Sequence, residues 1–343
     1  MLANEFYVLY NANENDLHII QGGFYMKNKK INRLMNSIVL VLVLVMVSGC
    51  GSKVENEEIF ENGKITVYTS FYAMHDFANK IGGDKINLIN LVPTGMEPHD
   101  WEPSPNDIVK LEKADVFIYN GAGMEHWVGK VLESVDSERL VVVETAKGLK
   151  LLEGIDDHEE DLKEKDDEEL KYDPHVWLNP MLAKQQMEAI KEAFVLADPS
   201  NKEFYENNYT DYAEELDELF EEFTSTLSAF EHRDIIVAHQ AYGYLCDAFD
   251  LNQIPIEGLN ADAEPSPSRM AEIIEFAKEK DIKVIFFEEM VSPKVAETIA
   301  EEIGAQTAVL SPLEGLKEAD IAAGKEYFSV MRENLEALKQ ALR

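Results

Sequence analysis

Cysteine is almost missing from this chain: Cys50 and Cys246 are the only two in 343 residues. That excludes a disulfide framework and any zinc finger built on paired thiolates. Cys246, in "GYLCDAF", reads as a small buried apolar residue. Positive charge is scarce as well, with 31 Lys and Arg against 66 Asp and Glu and a formal net charge of −35. Such a surface repels phosphate backbones, so nucleic acid is excluded as a partner, and it gathers cations instead. The apolar run 38–47 holds about ten residues, well short of the roughly 20 that span a bilayer. There is no H-E-x-x-H pair of a zinc protease, and no strong internal repeat.

What is present at the start is a leader. "MKNKKINRLMNSIVLVLVLVMVSGC" (26–50) has a basic head, a short apolar run and small residues before Cys50. Its ending, "VSGC", resembles a bacterial lipobox, with Val47 where leucine is commoner. Cleavage before Cys50 and lipidation of that thiol are expected, leaving the protein outside the cytoplasm on the outer face of the cell membrane. Residues 1–25 are expected to be a spurious upstream extension, because "QGGFYM" can be encoded by a ribosome-binding sequence followed by a start codon at Met26. Residues 50–63 are polar and read as a flexible tether.

From residue 64 onward strand-like and helix-like runs alternate. "KITVYTS", "KINLINLVP", "DVFIYN" and "RLVVVE" are strands with helices between them, which predicts an α/β lobe over 64–198 with a mostly parallel sheet. The acidic stretch 153–171 lacks apolar periodicity and reads as a mobile surface loop of that lobe. A long helix is predicted over 199–231, started by "DPSN" and long enough to bridge two lobes. The alternation resumes over 232–343 with "DIIVAH", "QIPIEG", "KVIFFE" and "QTAVL" as strands of a second α/β lobe.

Ligands of α/β sheets bind beyond the carboxyl ends of strands. His99 follows "LINLVP", His175 follows the last strand of the first lobe, His239 ends "DIIVAH", and Glu288 ends "KVIFF". Two candidates per lobe can therefore converge on an interlobe cleft. Three imidazoles and one carboxylate suit tetrahedral zinc. Pro98 and Pro174 stiffen the backbone before two of the histidines, and Trp101 and Trp177 lie two residues beyond each. Glu289 and water compete with Glu288 for the fourth place; successive strand residues face opposite ways, so the two glutamates would not share one ion. His75, His126 and His232 read as packed or surface residues, and His158 lies within the acidic loop.

"PTGMEPHDWEPSP" (93–105), "YDPHVWLNP" (172–180), "IVAHQAYGYL" (236–245), "AEPSPSRM" (263–270) and "IFFEEMVSPKVAETIA" (285–300) resemble the motifs of the metal-type (cluster A-I) solute-binding lipoproteins of bacterial ABC importers. The resemblance covers the chain from Lys64 to Arg343. It implies two α/β lobes joined by one long rigid helix, with the metal site in the interlobe cleft. It places the ligands at His99, His175, His239 and the acidic position of "FFEE", taken as Glu288. Manganese-binding relatives carry a carboxylate where this chain has His239, so nitrogen-rich ligation favours Zn2+ over manganese. The acidic loop departs from many zinc-importing relatives, whose loop is rich in histidine.

The expectation is therefore a non-enzymatic, monomeric zinc-binding component of an importer, tethered through Cys50, with an ABC permease and its ATPase as partners. A manganese-binding homologue is the alternative. A zinc hydrolase would need an open metal position and a base such as Glu289. Adhesion could be a secondary role at most.

Overall fold

The computed structural model describes residues 63–135, 139–154, 171–259 and 265–343. The expected upstream extension, signal peptide, Cys50, nearly all of the tether and most of the acidic loop with His158 lie outside the described residues.

Eight short strands build two sheets among the described residues. The first contains β1 (Ile65–Thr69), β2 (Ile86–Asn90), β3 (Val116–Tyr119) and β4 (Val141–Glu144) in the order β2-β1-β3-β4, every pair parallel. The second contains β5 (Asp234–Val237), β6 (Asn252–Pro255), β7 (Val284–Phe287) and β8 (Gln306–Val309) in the order β6-β5-β7-β8, again all parallel. The same winding thus occurs twice, although no repeat is legible in residue identity. In each sheet the order reverses beside its first strand, and a crevice opens there at the carboxyl ends.

The strands are short apolar runs because helices cover both faces of a parallel sheet. Val116, Phe117 and Ile118 of β3 are wholly buried. Helices α1 (Tyr72–Gly82), α2 (Pro105–Leu111), α3 (Val128–Ser134) and α4 (Pro180–Ala197) belong to the first half. After α5 (Lys202–Leu227) come α6 (Gly243–Phe249), α7 (Pro267–Glu279), α8 (Lys294–Ile303), α9 (Glu318–Ala322) and α10 (Tyr327–Ala341). Two serine–proline steps start helices as the sequence suggests: Ser104 and Ser266 accept hydrogen bonds from Asp107 N and Arg269 N, with proline at the first helical position.

Helix α5 has 26 residues, about 39 Å of rise. Its buried residues Tyr205, Leu216, Leu219, Phe223 and Leu227 form one stripe. The predicted continuation to Glu231 is not made. Ser228 and Ser225 turn their hydroxyls back onto main-chain carbonyls, Phe230 N bonds Leu227 O in a tighter turn, and Arg233 Nη1 caps the same carbonyl at 3.2 Å.

One core cluster runs from Val67 and Phe117 in the first sheet, through Phe223 of α5, to Tyr242 and Leu335 in the second half. A smaller one, with Ile236, Ile273, Ile285 and Ile299, fills the space under α7 and α8. The two halves therefore share packed side chains. A buried ammonium reinforces this: Lys80 Nζ of α1 lies 2.6 Å from Asp76 Oδ2 and 2.8 Å from Glu326 Oε2, the residue that caps α10.

Candidate metal centre

Every candidate ligand sits where the sheets end. His99 lies on the loop from β2 to α2, and His175 on the segment from β4 to α4. His239 comes two residues after β5, and Glu288 directly after β7.

The segment Asp173–Leu178 is a rigid holder. Asp173 Oδ1 accepts from the His175 main-chain N at 2.9 Å and faces its Nδ1 at 2.7 Å. Asn120 Nδ2 donates to Pro174 O at 2.9 Å, and Tyr244 OH donates to Asp173 O at 2.8 Å. With Nδ1 held against a carboxylate, that nitrogen keeps its proton, and Nε2 is the nitrogen left to bind a metal once any proton on it is lost. His239 repeats the arrangement: its Nδ1 lies 2.7 Å from Glu288 Oε1. Both rings are fully buried.

Their Nε2 atoms point at one place. His175 Nε2 is 3.4 Å from His99 Nε2 and 3.4 Å from His239 Nε2. The fourth group there is Glu314, on the loop after β8. Its Oε1 lies 2.8 Å from His175 Nε2 and 3.4 Å from both His99 Nε2 and His239 Nε2. The ligand atoms of His99, His175, His239 and Glu314 all fall within 4.8 Å of one another. Bonds of 2.0–2.2 Å to a tetrahedral ion would separate its ligands by roughly 3.3–3.6 Å. Four of these spacings match that edge.

Glu288, the expected fourth ligand, lies outside this cluster. β5 and β7 are neighbours with Ile236 opposite Ile285, so His239 and Glu288 continue the same register three residues on. A carboxylate beside the root of the ring meets the near nitrogen, Nδ1, and not the far one. Glu288 thus faces His239 from behind, at Nδ1, and Glu314 Oε1 is the carboxylate oxygen that lies among the three Nε2 atoms. Glu289 also lies outside the cluster. Glu314 was missed from sequence, although "LSPLEGL" carries a signal: one acidic residue among leucines, just past a strand end. His75, His126 and His232 do not join the cluster.

The electrostatics fit a cation. Burial alone would lower the His175 pKa, but the Asp173 and Glu314 carboxylates outweigh it and push it up to about 9. Burial likewise opposes the charged form of His239, and Glu288 and Glu314 hold its pKa well above the ordinary value. Burial would raise Glu314, yet the surrounding imidazoles hold it well below the usual carboxylate range. Burial, and next the charge of Glu314, push nearby Glu97 up to about 9. His99 differs from the other two histidines. Its side chain keeps 10% of its exposure, against 0% for the others, making it the solvent-side corner.

A family described as "ZnuA: Zinc-uptake complex component A periplasmic" matches residues 67–341. The chain belongs to the ZnuA family. Among curated relatives, the high-affinity zinc uptake system protein ZnuA of Bacillus subtilis is 40% identical over 306 residues, covering 89% of this chain and 96% of that protein. The zinc-binding protein AdcA of Streptococcus pyogenes is 37% identical over 316 residues, and the alignment spans 89% of this chain but 61% of AdcA. The Zn(II)-bound ZnuA-like domain of Streptococcus pneumoniae AdcA has a similar structure, with TM-score 0.70, 36% identity, and 82% of this chain and 99% of that one covered. The ZnuA fold, two parallel-sheet lobes with a long helix between them, is the fold found here.

Membership also gives the holder a testable partner. A Cβ on Gly243, the first residue of α6, would lie 2.3 Å from Asp173 Oδ2. The backbone there tolerates any residue, since Gly243 is not among the positive-φ glycines. Gly243→Ala should therefore displace Asp173 from His175 and weaken zinc binding roughly 10–100-fold. Competition against a chromogenic chelator measures this; unchanged affinity would show that the Asp173 contact is unimportant.

Proposed function

We propose that this protein is the extracytoplasmic zinc-binding component of an ABC importer, which captures Zn2+ with His99, His175, His239 and Glu314 and passes it to a membrane permease driven by an ATPase. The observation that carries the reading is the convergence of three Nε2 atoms and one carboxylate oxygen near tetrahedral spacing, with a carboxylate behind two of the rings. Lone pairs aimed at one another 3.4 Å apart are repulsive unless a proton or a metal ion lies between them. Family membership and the names of the relatives support zinc as the cargo.

Lipidation of Cys50 would hold the protein at the outer face of the membrane beside its permease, as "VSGC" suggests. Exchange of the ion takes place through His99. The other three ligands are buried and fixed, so a path opens when the 91–104 loop lifts, without wide separation of lobes that share a core. A hydrolase would need a vacant metal position and a base beside it. The convergence of four groups, enough for a tetrahedral ion, favours a carrier over a hydrolase.

Metal analysis after dialysis against an equimolar zinc–manganese mixture tests the proposal. One zinc per protein and negligible manganese are expected, because three nitrogens favour zinc and manganese prefers oxygen. Manganese at comparable occupancy would favour the manganese-importing alternative.

A further inference from the structure

The loop that carries Glu314 is held from outside its own lobe. Residues 310–314 are all buried, and Leu313 adopts φ 59°, a left-handed backbone that a branched side chain rarely takes. Three buried side chains hold this path. Trp177 Nε1 donates to Pro312 O at 2.7 Å, and Tyr242 OH donates to Leu310 O at 2.6 Å. Asn334 of α10 makes two bonds to Ser311, accepting from its N and donating to its O, both at 2.8 Å. Tyr242 and Asn334 belong to the second half, like the loop itself. Of these three, only Trp177 reaches across from the first half, and it sits two residues after His175.

Trp177 is itself immobilised. Its carbonyl accepts from Tyr327 OH at 2.6 Å, and its ring packs against Phe71 with centroids 4.9 Å apart. A single fixed segment therefore presents His175 Nε2 to the site and grips the backbone two residues before Glu314. The 2.8 Å separation of His175 Nε2 from Glu314 Oε1, the shortest among the ligand atoms, is set between those two points.

We infer that Trp177 is a positioning residue for zinc: its indole N–H fixes the Glu314 carboxylate against His175 across the lobe interface. Its ring also packs against that of His175, with centroids 5.3 Å apart, a contact that phenylalanine can keep, whereas the N–H acts through Glu314. This rests on the reading of Glu314 as a zinc ligand. Losing the N–H while keeping an aromatic ring leaves Pro312 O without its donor and frees the strained loop to relax toward an easier backbone. The carboxylate then moves off its corner, and the three histidines bind without it.

A double-mutant cycle on the full secreted chain tests this, with zinc affinity read by chelator competition for the unaltered protein, Trp177→Phe, Glu314→Gln and both together. Trp177→Phe should weaken zinc binding roughly 10–100-fold, and Glu314→Gln at least as much. In the Glu314→Gln background, Trp177→Phe should add less than about threefold. Tyr242→Phe, which loosens the same loop from its own lobe, supplies a second cycle with the same non-additivity should Trp177→Phe not fold. Full additivity, with Glu314→Gln weakening zinc, would overturn the positioning role and leave the ligand reading standing. An unchanged affinity in Glu314→Gln would overturn both.

Discussion

Replacing His175 with alanine is expected to lower zinc affinity roughly 100–1,000-fold. A structural zinc site with four ligands is worth about 10–16 kcal/mol, so one ligand carries about 3–4 kcal/mol, and each 1.4 kcal/mol is a factor of ten. His175 should stand at the upper end of that range for a structural reason. Its Nε2 contacts the other three ligand atoms of the cluster, while its Nδ1 neutralises buried Asp173. Alanine would leave both Asp173 and Glu314 facing a cavity, so the metal-free protein should also lose stability, as buried charges do when a partner is removed. His99→Ala should cost less, because its ring is the one that reaches solvent and water can take its corner. Isothermal titration of the two variants side by side checks the order. Equal losses would mean that the burial of His175 and its carboxylate partner add nothing.

Zinc uptake at neutral pH should release about two protons, and the affinity should fall about 100-fold for each unit of acidification. In the metal-free protein, neighbouring carboxylates raise the pKa of both His175 and His239, to about 9 for His175. That bias favours a second proton on both rings, which zinc must displace from Nε2. Two protons cost about 3 kcal/mol per pH unit. The stability of the metal-free protein runs the other way. A histidine whose folded pKa lies above its unfolded value near 6.5 stabilises fully below that value and ceases to do so as the pH rises through its folded pKa, about 9 for His175. The increase in melting temperature on adding zinc should accordingly grow from pH 6 to pH 9. Titration in buffers of differing ionisation enthalpy counts the protons, and a count of zero would contradict the charge assignment.

These effects depend on features of unequal legibility in sequence. His99 and His239 stood out because each follows an apolar strand, and His175, like His99, because a proline stiffens the approach to it. The paired α/β halves were readable from alternation alone, since short Val, Ile and Phe runs between amphipathic segments leave few other arrangements. The roles of the two glutamates were not. Glu288 meets every sequence criterion used for His239, but only the β5–β7 register shows that the two are neighbours and that the carboxylate faces Nδ1 of the ring. Glu314 lies five residues beyond β8, and its arrival depends on a left-handed turn at Leu313 and a grip from the other half of the molecule. Neither leaves a trace in local composition. The end of α5 was overestimated for a simpler reason: serine hydroxyls competing for carbonyls terminate a helix that apolar periodicity alone would extend.

The account is tested most directly by a crystal structure of the zinc-loaded protein with anomalous data on both sides of the zinc edge. One ion is expected, bonded to Nε2 of His99, His175 and His239 and to the Glu314 carboxylate, with Glu288 on Nδ1 of His239 and away from the metal. An ion bound by Glu288, or held anywhere that leaves Glu314 outside its coordination shell, would contradict it.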